Sequence, residues 1–318
     1  METLHIVGEN RFNTYRITAG TASRTVSFEL RLYMPSGTGP HPVILTGDDC
    51  FLYCDDAVIR EATDRGYITA KFNRTALAPD VFSSARDAGL YSVYPDLHFG
   101  AIAAWAWGYH RCVDALEALS FADSSAIAIT GHSRGGKAAL LAAATDERIA
   151  FTQSNCSGAA GCGCFRYEQN EAPELDREDH RCEHLEDLLS VVPYWLGEAM
   201  KKYVGREDEL PFDQHFLKAA VAPRWLLETD TLDDVWSNPR GTYQTYRAAK
   251  EVYRFLGAED HLAAVFRYGR HYHGLRDYQV FFDFIDDARA ARPFLQDNAE
   301  RAFNLPLIYS WTGVSAHE

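Results

Sequence analysis

Two rhythms of apolar and polar positions recur along this chain. Short apolar runs of strand length are followed by longer stretches whose apolar residues return every three or four positions. The segment TVSFELRLYMP (25–35) alternates at every second residue, as a half-exposed strand does. HPVILTG (41–47), GYITAKFN (66–73), SAIAITGH (125–132), FTQSN (151–155), RWLLETD (224–230) and VFRYG (265–269) read as further strands. Helical spacing appears at 98–119, 134–145, 241–257 and 276–290. Strands and helices in this order predict an α/β fold, a doubly wound, mostly parallel sheet with helices on both faces. Ligands of such sheets bind beyond the carboxyl ends of the strands, so chemistry is expected just after those segments. No linker divides the chain. It reads as a single domain over 1–318, with a charged, irregular insertion at 165–215 over the active-site edge, helical around 183–203, and a C-terminal extension at 291–318.

Composition narrows the function. The 318 residues are 47% hydrophobic and 24% charged, an ordinary soluble balance. A net charge of −14 argues against nucleic acid and anionic membrane as partners, since both require a basic face. No apolar run approaches the ~18 residues of a membrane span. The start, METLHIVGEN, lacks a basic and then apolar leader. As it stands the chain reads as cytoplasmic, or as secreted or periplasmic if a leader has been removed. The cysteines are Cys50, Cys54, Cys112, Cys156, Cys162, Cys164 and Cys182, an odd set without C-x₂-C pairs. They read as buried thiols rather than a disulfide framework or a zinc site. No metal or organic cofactor is implied.

The most informative stretch is ITGHSRGGKAALLAAATDERI, 129–149. Gly131-His132-Ser133-Arg134-Gly135 is G-x-S-x-G between a predicted strand and a predicted helix. That context is the nucleophile elbow of α/β-hydrolases, where the turn is so tight that its flanks must be glycine. Ser133 is then the nucleophile. The backbone N–H of Arg134 points toward a developing oxyanion, and the helix start adds positive potential. A glycine-rich turn with an N-capping serine is the plainer alternative.

A serine hydroxyl needs a base, and this fold orders the partners as Ser, acid, His. His271 and His273 both follow the last predicted strand and both are candidates. His132 sits inside the elbow, where its ring cannot turn onto Ser133. The acid is expected after the strand RWLLETD, at Asp233 or Asp234, with the usual turn geometry favouring Asp233.

These segments resemble the glucuronoyl esterase family. The resemblance rests on GHSRGGKAALLAAATDERI, on GAIAAWAWGYHRCVDAL (100–116), LPFDQHFLKAAVAPRWLL (210–227), DDVWSNPRG (233–241) and GRHYHGLRDYQVFFDF (269–284). It implies a serine carboxylic-ester hydrolase cleaving uronic acid esters through an acyl-enzyme on Ser133, with a small-molecule or oligosaccharide ester as substrate. By resemblance Arg134 helps hold the oxyanion, Lys137 and Glu183 bind sugar hydroxyls and Trp236 lines the sugar site. Gapless matching of both flanks of the histidine loop picks His271. One departure stands out. Many members carry a catalytic glutamate after the strand that follows the elbow helix, where this chain has Cys156. A thiol cannot stabilise an imidazolium as a carboxylate does, so the weight returns to Asp233 and Asp234. Two other readings stay open: an acetyl or short-chain carboxylesterase, and a carbohydrate-binding homologue without catalysis.

Overall fold

The computed structural model describes residues 3–7, 10–82, 86–170 and 180–309. Among these residues nine strands form one sheet in the order β1-β2-β3-β5-β4-β6-β7-β8-β9. They are β1 (Thr3–Val7), β2 (Asn10–Gly20), β3 (Thr25–Met34), β4 (His41–Thr46), β5 (Ile68–Phe72), β6 (Ala122–His132), β7 (Phe151–Asn155), β8 (Trp225–Thr231) and β9 (Leu262–Arg267). β1, β2, β3 and β5 pair antiparallel in succession, and every pairing from β5 across to β9 is parallel. The main helices are α1 (Asp56–Asp64), α2 (Leu90–Val93), α3 (Ala101–Glu117), α4 (Arg134–Thr145), α5 (Leu185–Val191), α6 (Gln214–Val221), α7 (Pro239–Phe255) and α8 (Leu275–Arg289).

The pleat sends alternate side chains to two cores. Val43, Leu45, Ile127 and Ile129 face one side, where Trp105 and Tyr109 of α3 and Leu140 of α4 pack. Ile44 and Ala128 face the other, against Val58 and Ile59 of α1 and Phe281 and Phe282 of α8. Central strands buried on both faces are why the sequence shows continuous apolar runs there and alternation only in β3, with its exposed-buried pattern.

The doubly wound α/β sheet is as the sequence pattern predicts, and most segments match within three residues. The pattern revealed neither β1 and β2 nor α1. β2 pairs along its length with β3 at the antiparallel end of the sheet, and α1 is a short helix capped by Asp55, which accepts from Ala57 N at 3.0 Å. The expected helix around 183–203 is α5, followed after Pro193 by a 3-10 turn over Glu198–Tyr203. Parts of the expected insertion and C-terminal extension, 171–179 and 310–318, lie outside the described residues. Among the described residues, no helix is long and apolar enough to cross a membrane.

Register positions the site. His132 pairs with Asn155, Asn155 with Thr229, and Thr231 with Arg267. Four strands therefore end side by side, and the residues after them share one rim.

Candidate active site

Ser133 sits on that rim between β6 and α4 with φ 54° and ψ −122°, the left-handed region that a serine enters only when its surroundings hold it there. Its backbone N–H donates to Asn155 O at 2.8 Å. A Cβ at position 131 would overlap the Gly135 carbonyl, and one at 135 would lie 2.7 Å from Asp48 Cγ. Both glycines are thus demanded by close approach. Asp48 is buried and accepts from His132 N at 2.8 Å, and Arg74, fully buried, lies 3.4 Å from its other oxygen. Burial pushes the Asp48 carboxyl upward, against the Arg74 charge.

The late histidines part company. His271 stands on the rim, and its Nδ1–H donates to Asp234 Oδ2 at 2.6 Å. Its ring centroid is 4.5 Å from that of His132, the residue before Ser133. His273 turns into the core. It is fully buried, stacks on Tyr278 at 4.2 Å and contacts Gln153 Oε1 at 3.3 Å. Burial, aided by Arg267, pushes it down to about 3, so it stays neutral. His132 donates from Nδ1 to Asn155 Oδ1 at 2.6 Å, and burial with its two histidine neighbours holds it well below its ordinary value. The Ser133 hydroxyl makes no hydrogen bond among the described residues. Such contacts are often long in unliganded enzymes and tighten with substrate.

The expectation that leaned to Asp233 is corrected by the turn. Asp234 N bonds Thr231 O at 3.2 Å, which folds the chain back and brings Asp234, not Asp233, beneath the imidazole. Asp233 is exposed, and its Oδ2 accepts from Gly269 N at 3.0 Å. Asp234 is largely buried. Burial raises its carboxyl, but the His271 and Ser237 hydrogen bonds outweigh that and the net direction is down.

The other expected residues form a second group on the same rim. Lys137 Nζ donates to Glu183 Oε2 at 2.6 Å and also to the Ala159 carbonyl. Both side chains are buried. Burial pulls the lysine down and pushes the glutamate up, while their mutual attraction resists both. Glu183 N donates to Trp236 O at 2.9 Å, and the half-buried Trp236 ring lies 5.6 Å from the Arg181 guanidinium. Arg134 donates to Asp80 Oδ2 at 3.0 Å, and its guanidinium lies 4.7 Å from the Trp195 ring centre. Asp80 Oδ1 also accepts from Tyr194 OH at 3.1 Å and from Trp195 Nε1 at 3.0 Å. Sequence reasoning missed Asp48, Arg74, Asp80 and Trp195. None lies in a motif of its own, although Trp195 falls within the PYW that follows Glu183.

Cys156, after β7, is buried, and its thiol, the Asp234 carboxylate and the His271 ring nitrogen lie within 4.8 Å of one another. This is the one group of metal-ligating type among the described residues, and the ring nitrogen and carboxylate in it already hydrogen-bond each other. Burial, then Asp230, Asp234 and Asp277, push the thiol well above its ordinary value, so it is a neutral S–H.

A serine elbow on a doubly wound sheet, with an exposed histidine bonded to a buried aspartate on the same rim, defines an α/β-hydrolase. The sequence model of the family described as fungal glucuronyl esterase matches residues 17–257. A 4-O-methyl-glucuronoyl methylesterase of Hypocrea jecorina is 33% identical over 255 residues, 79% of this chain and 52% of that protein. One from Wolfiporia cocos is 33% identical over 283 residues, 86% of this chain and 64% of that protein. Among solved structures, a carbohydrate esterase family 15 glucuronoyl esterase from Caldicellulosiruptor kristjansonii superposes with TM-score 0.81 and 28% identity, over 99% of this chain and 85% of that one. The chain belongs to the glucuronyl esterase family. It spans about half the length of the first curated relatives it matches.

Proposed function

We propose that the chain hydrolyses glucuronoyl esters through an acyl-enzyme on Ser133. The observation that carries this is the 2.6 Å His271–Asp234 hydrogen bond on the rim that holds the elbow. His271 Nε2 takes the Ser133 proton as Oγ attacks the ester carbonyl at C6. Asp234 holds the ring by its Nδ1–H and balances the imidazolium that forms. The alcohol departs with the proton from Nε2, and water, activated by the same nitrogen, then releases the uronic acid. The Arg134 guanidinium, oriented by Asp80, and the open N–H groups of the first turn of α4 stabilise the oxyanion. Lys137, Glu183 and Trp236 supply donors, acceptors and an apolar ring of the kinds a sugar presents partners for.

Ser133→Ala tests the reading. Hydrolysis of methyl or benzyl glucuronate should fall by about 10⁵-fold or more, with the thermal transition unchanged. Full activity in that variant refutes the elbow assignment. Faster turnover of p-nitrophenyl acetate than of the uronate, unaffected by Lys137→Ala, makes the chain a short-chain carboxylesterase instead. An unmodified Ser133 after fluorophosphonate labelling makes it non-catalytic.

A further inference from the structure

Behind Asp234 lies a second buried carboxyl group that the triad does not use. Asp230, in β8, is 2% exposed. Its Oδ1 accepts from Thr231 N at 2.9 Å, and its Oδ2 from Thr242 Oγ1 at 2.9 Å. Between the two acids stands Ser237, 1% exposed. Its Oγ is 2.9 Å from Asp230 Oδ1, 2.6 Å from Asp234 Oδ2 and 3.1 Å from the Asp234 carbonyl.

The hydroxyl has one hydrogen for these acceptors. Its shortest contact is to Asp234, the ionised partner of His271. With that hydrogen committed, the Ser237 and Asp230 oxygens would face each other at 2.9 Å as two lone pairs, in a place closed to water. A proton on Asp230 resolves the clash. The chain of donors then runs from Asp230 Oδ1–H to Ser237 Oγ, from Ser237 O–H to Asp234 Oδ2, and to that same oxygen from His271 Nδ1–H.

We propose that Asp230 is a positioning residue of the ester-hydrolysing site: as a neutral acid it fixes the Ser237 hydroxyl on Asp234 and so holds that carboxylate against His271. The inference rests on the triad reading above.

The surroundings agree. Burial and the charge of Asp234 raise the Asp230 carboxyl to about 7, while Ser237, Thr242 and Thr231 N act the other way. Cys156 after β7 and Arg267 of β9 also interact with it, and Asp277 of α8 holds that arginine. The thiol is neutral, and the Arg267 guanidinium is already bound by both Asp277 oxygens at 2.6 and 2.8 Å. Above neutrality Asp230 ionises and its anion competes for the Ser237 hydrogen. Asp234 then loses one of its two donors, and kcat falls on the alkaline side.

Two measurements test this, one of which needs no substrate. The infrared difference between the wild-type chain and Asp230→Asn should show a buried carboxylic-acid carbonyl band at pH 6 that titrates away with a midpoint near 7, other buried and upward-pushed carboxyls, Glu228 among them, cancelling because both chains hold them. In pH profiles with methyl glucuronate, Asp230→Asn, whose amide can donate to Ser237 although it then no longer accepts from Thr231 N at that atom, should retain more kcat at pH 6 than Ser237→Ala does. It should also lose the fall above neutrality. Ser237→Ala should lower kcat at least about 10-fold with KM unchanged. Absence of the titrating band overturns the proposal, as does a wild-type alkaline limb that persists in Asp230→Asn. A chain that shows the band but hydrolyses no uronate ester supports the shared proton and sinks only the reading of the ester.

Discussion

Asparagine at 234 and asparagine at 233 make one substitution at neighbouring positions with different expected consequences. Asp234→Asn removes the charge beneath His271 and turns an amide toward the ring, which favours the wrong tautomer for accepting the Ser133 proton. With Nδ1 and Oδ2 2.6 Å apart, the charge centres of imidazolium and carboxylate lie about 4 Å apart. At an effective dielectric of ~20 this attraction is worth about 4 kcal/mol, or roughly 10³-fold in rate. Asp233→Asn keeps an oxygen that can accept from Gly269 N and loses only the acceptor's charge at an exposed position, which costs about 1 kcal/mol or less. The assay is steady-state hydrolysis of methyl glucuronate by both variants at pH 7, with thermal melts to confirm folding. The expected result is a kcat about 10³-fold down in Asp234→Asn, KM little changed, and Asp233→Asn within about 10-fold of wild type. The reasoning fails if Asp234→Asn keeps more than about a tenth of kcat, or if Asp233→Asn loses as much.

Two further predictions concern the groups around the triad. Lys137→Met strands Glu183 without its buried partner, which should cost about 3–5 kcal/mol and lower Tm by about 6 °C. The double variant Lys137→Met/Glu183→Gln should recover most of that Tm while uronate turnover stays low and p-nitrophenyl acetate turnover survives. Recovery of uronate turnover as well would show that the pair serves the fold alone. Gly135→Ala pushes a methyl group onto the buried Asp48 carboxylate and should cost more than about 3 kcal/mol or abolish soluble expression, whereas Gly197→Ala meets nothing within 4 Å and should be neutral. Equal melting curves for these two variants would refute the close-approach account of the elbow.

How much of this was legible in the sequence depends on how local each signal is. The elbow was readable because strand, turn and helix are contiguous and the turn's steric demand fixes glycines at set positions. The parallel core was readable because strands buried on both faces leave apolar runs. β2 escaped because it precedes the apolar runs and acquires its place only by pairing with β3. The choice between Asp233 and Asp234 depended on a single backbone hydrogen bond, Asp234 N to Thr231 O, that no composition announces. His271 and His273 are two residues apart in one loop, and what separates them is a stacking surface, Tyr278, supplied by α8. Asp80 is further from reach. It gathers Arg134 and the adjacent Tyr194 and Trp195 from two distant places in the chain, so only the folded structure brings its role into view.

The same reasoning explains why a thiol stands at position 156. The pocket behind His271 has Asp230, Asp234 and the side chain of residue 156 within mutual reach, and burial penalises every charge placed there. One imidazolium calls for one carboxylate. A second ionised acid would repel the first, and closely placed buried carboxylates respond by one of them keeping its proton. Asp234 takes the charge because two donors, His271 and Ser237, converge on its Oδ2. Asp230 lies one step further from the ring, behind Ser237, and is pushed toward the neutral form. A carboxylate at 156, the position where the family resemblance implies a glutamate in many members, would be a third acid in this pocket with Asp234 already beside the ring. A cysteine fills the space at the end of β7, brings no charge and leaves the pairing of Asp234 with His271 intact. On the proposed reading, a carboxylate on β8 beside His271 and a neutral side chain after β7 therefore answer one electrostatic condition rather than two.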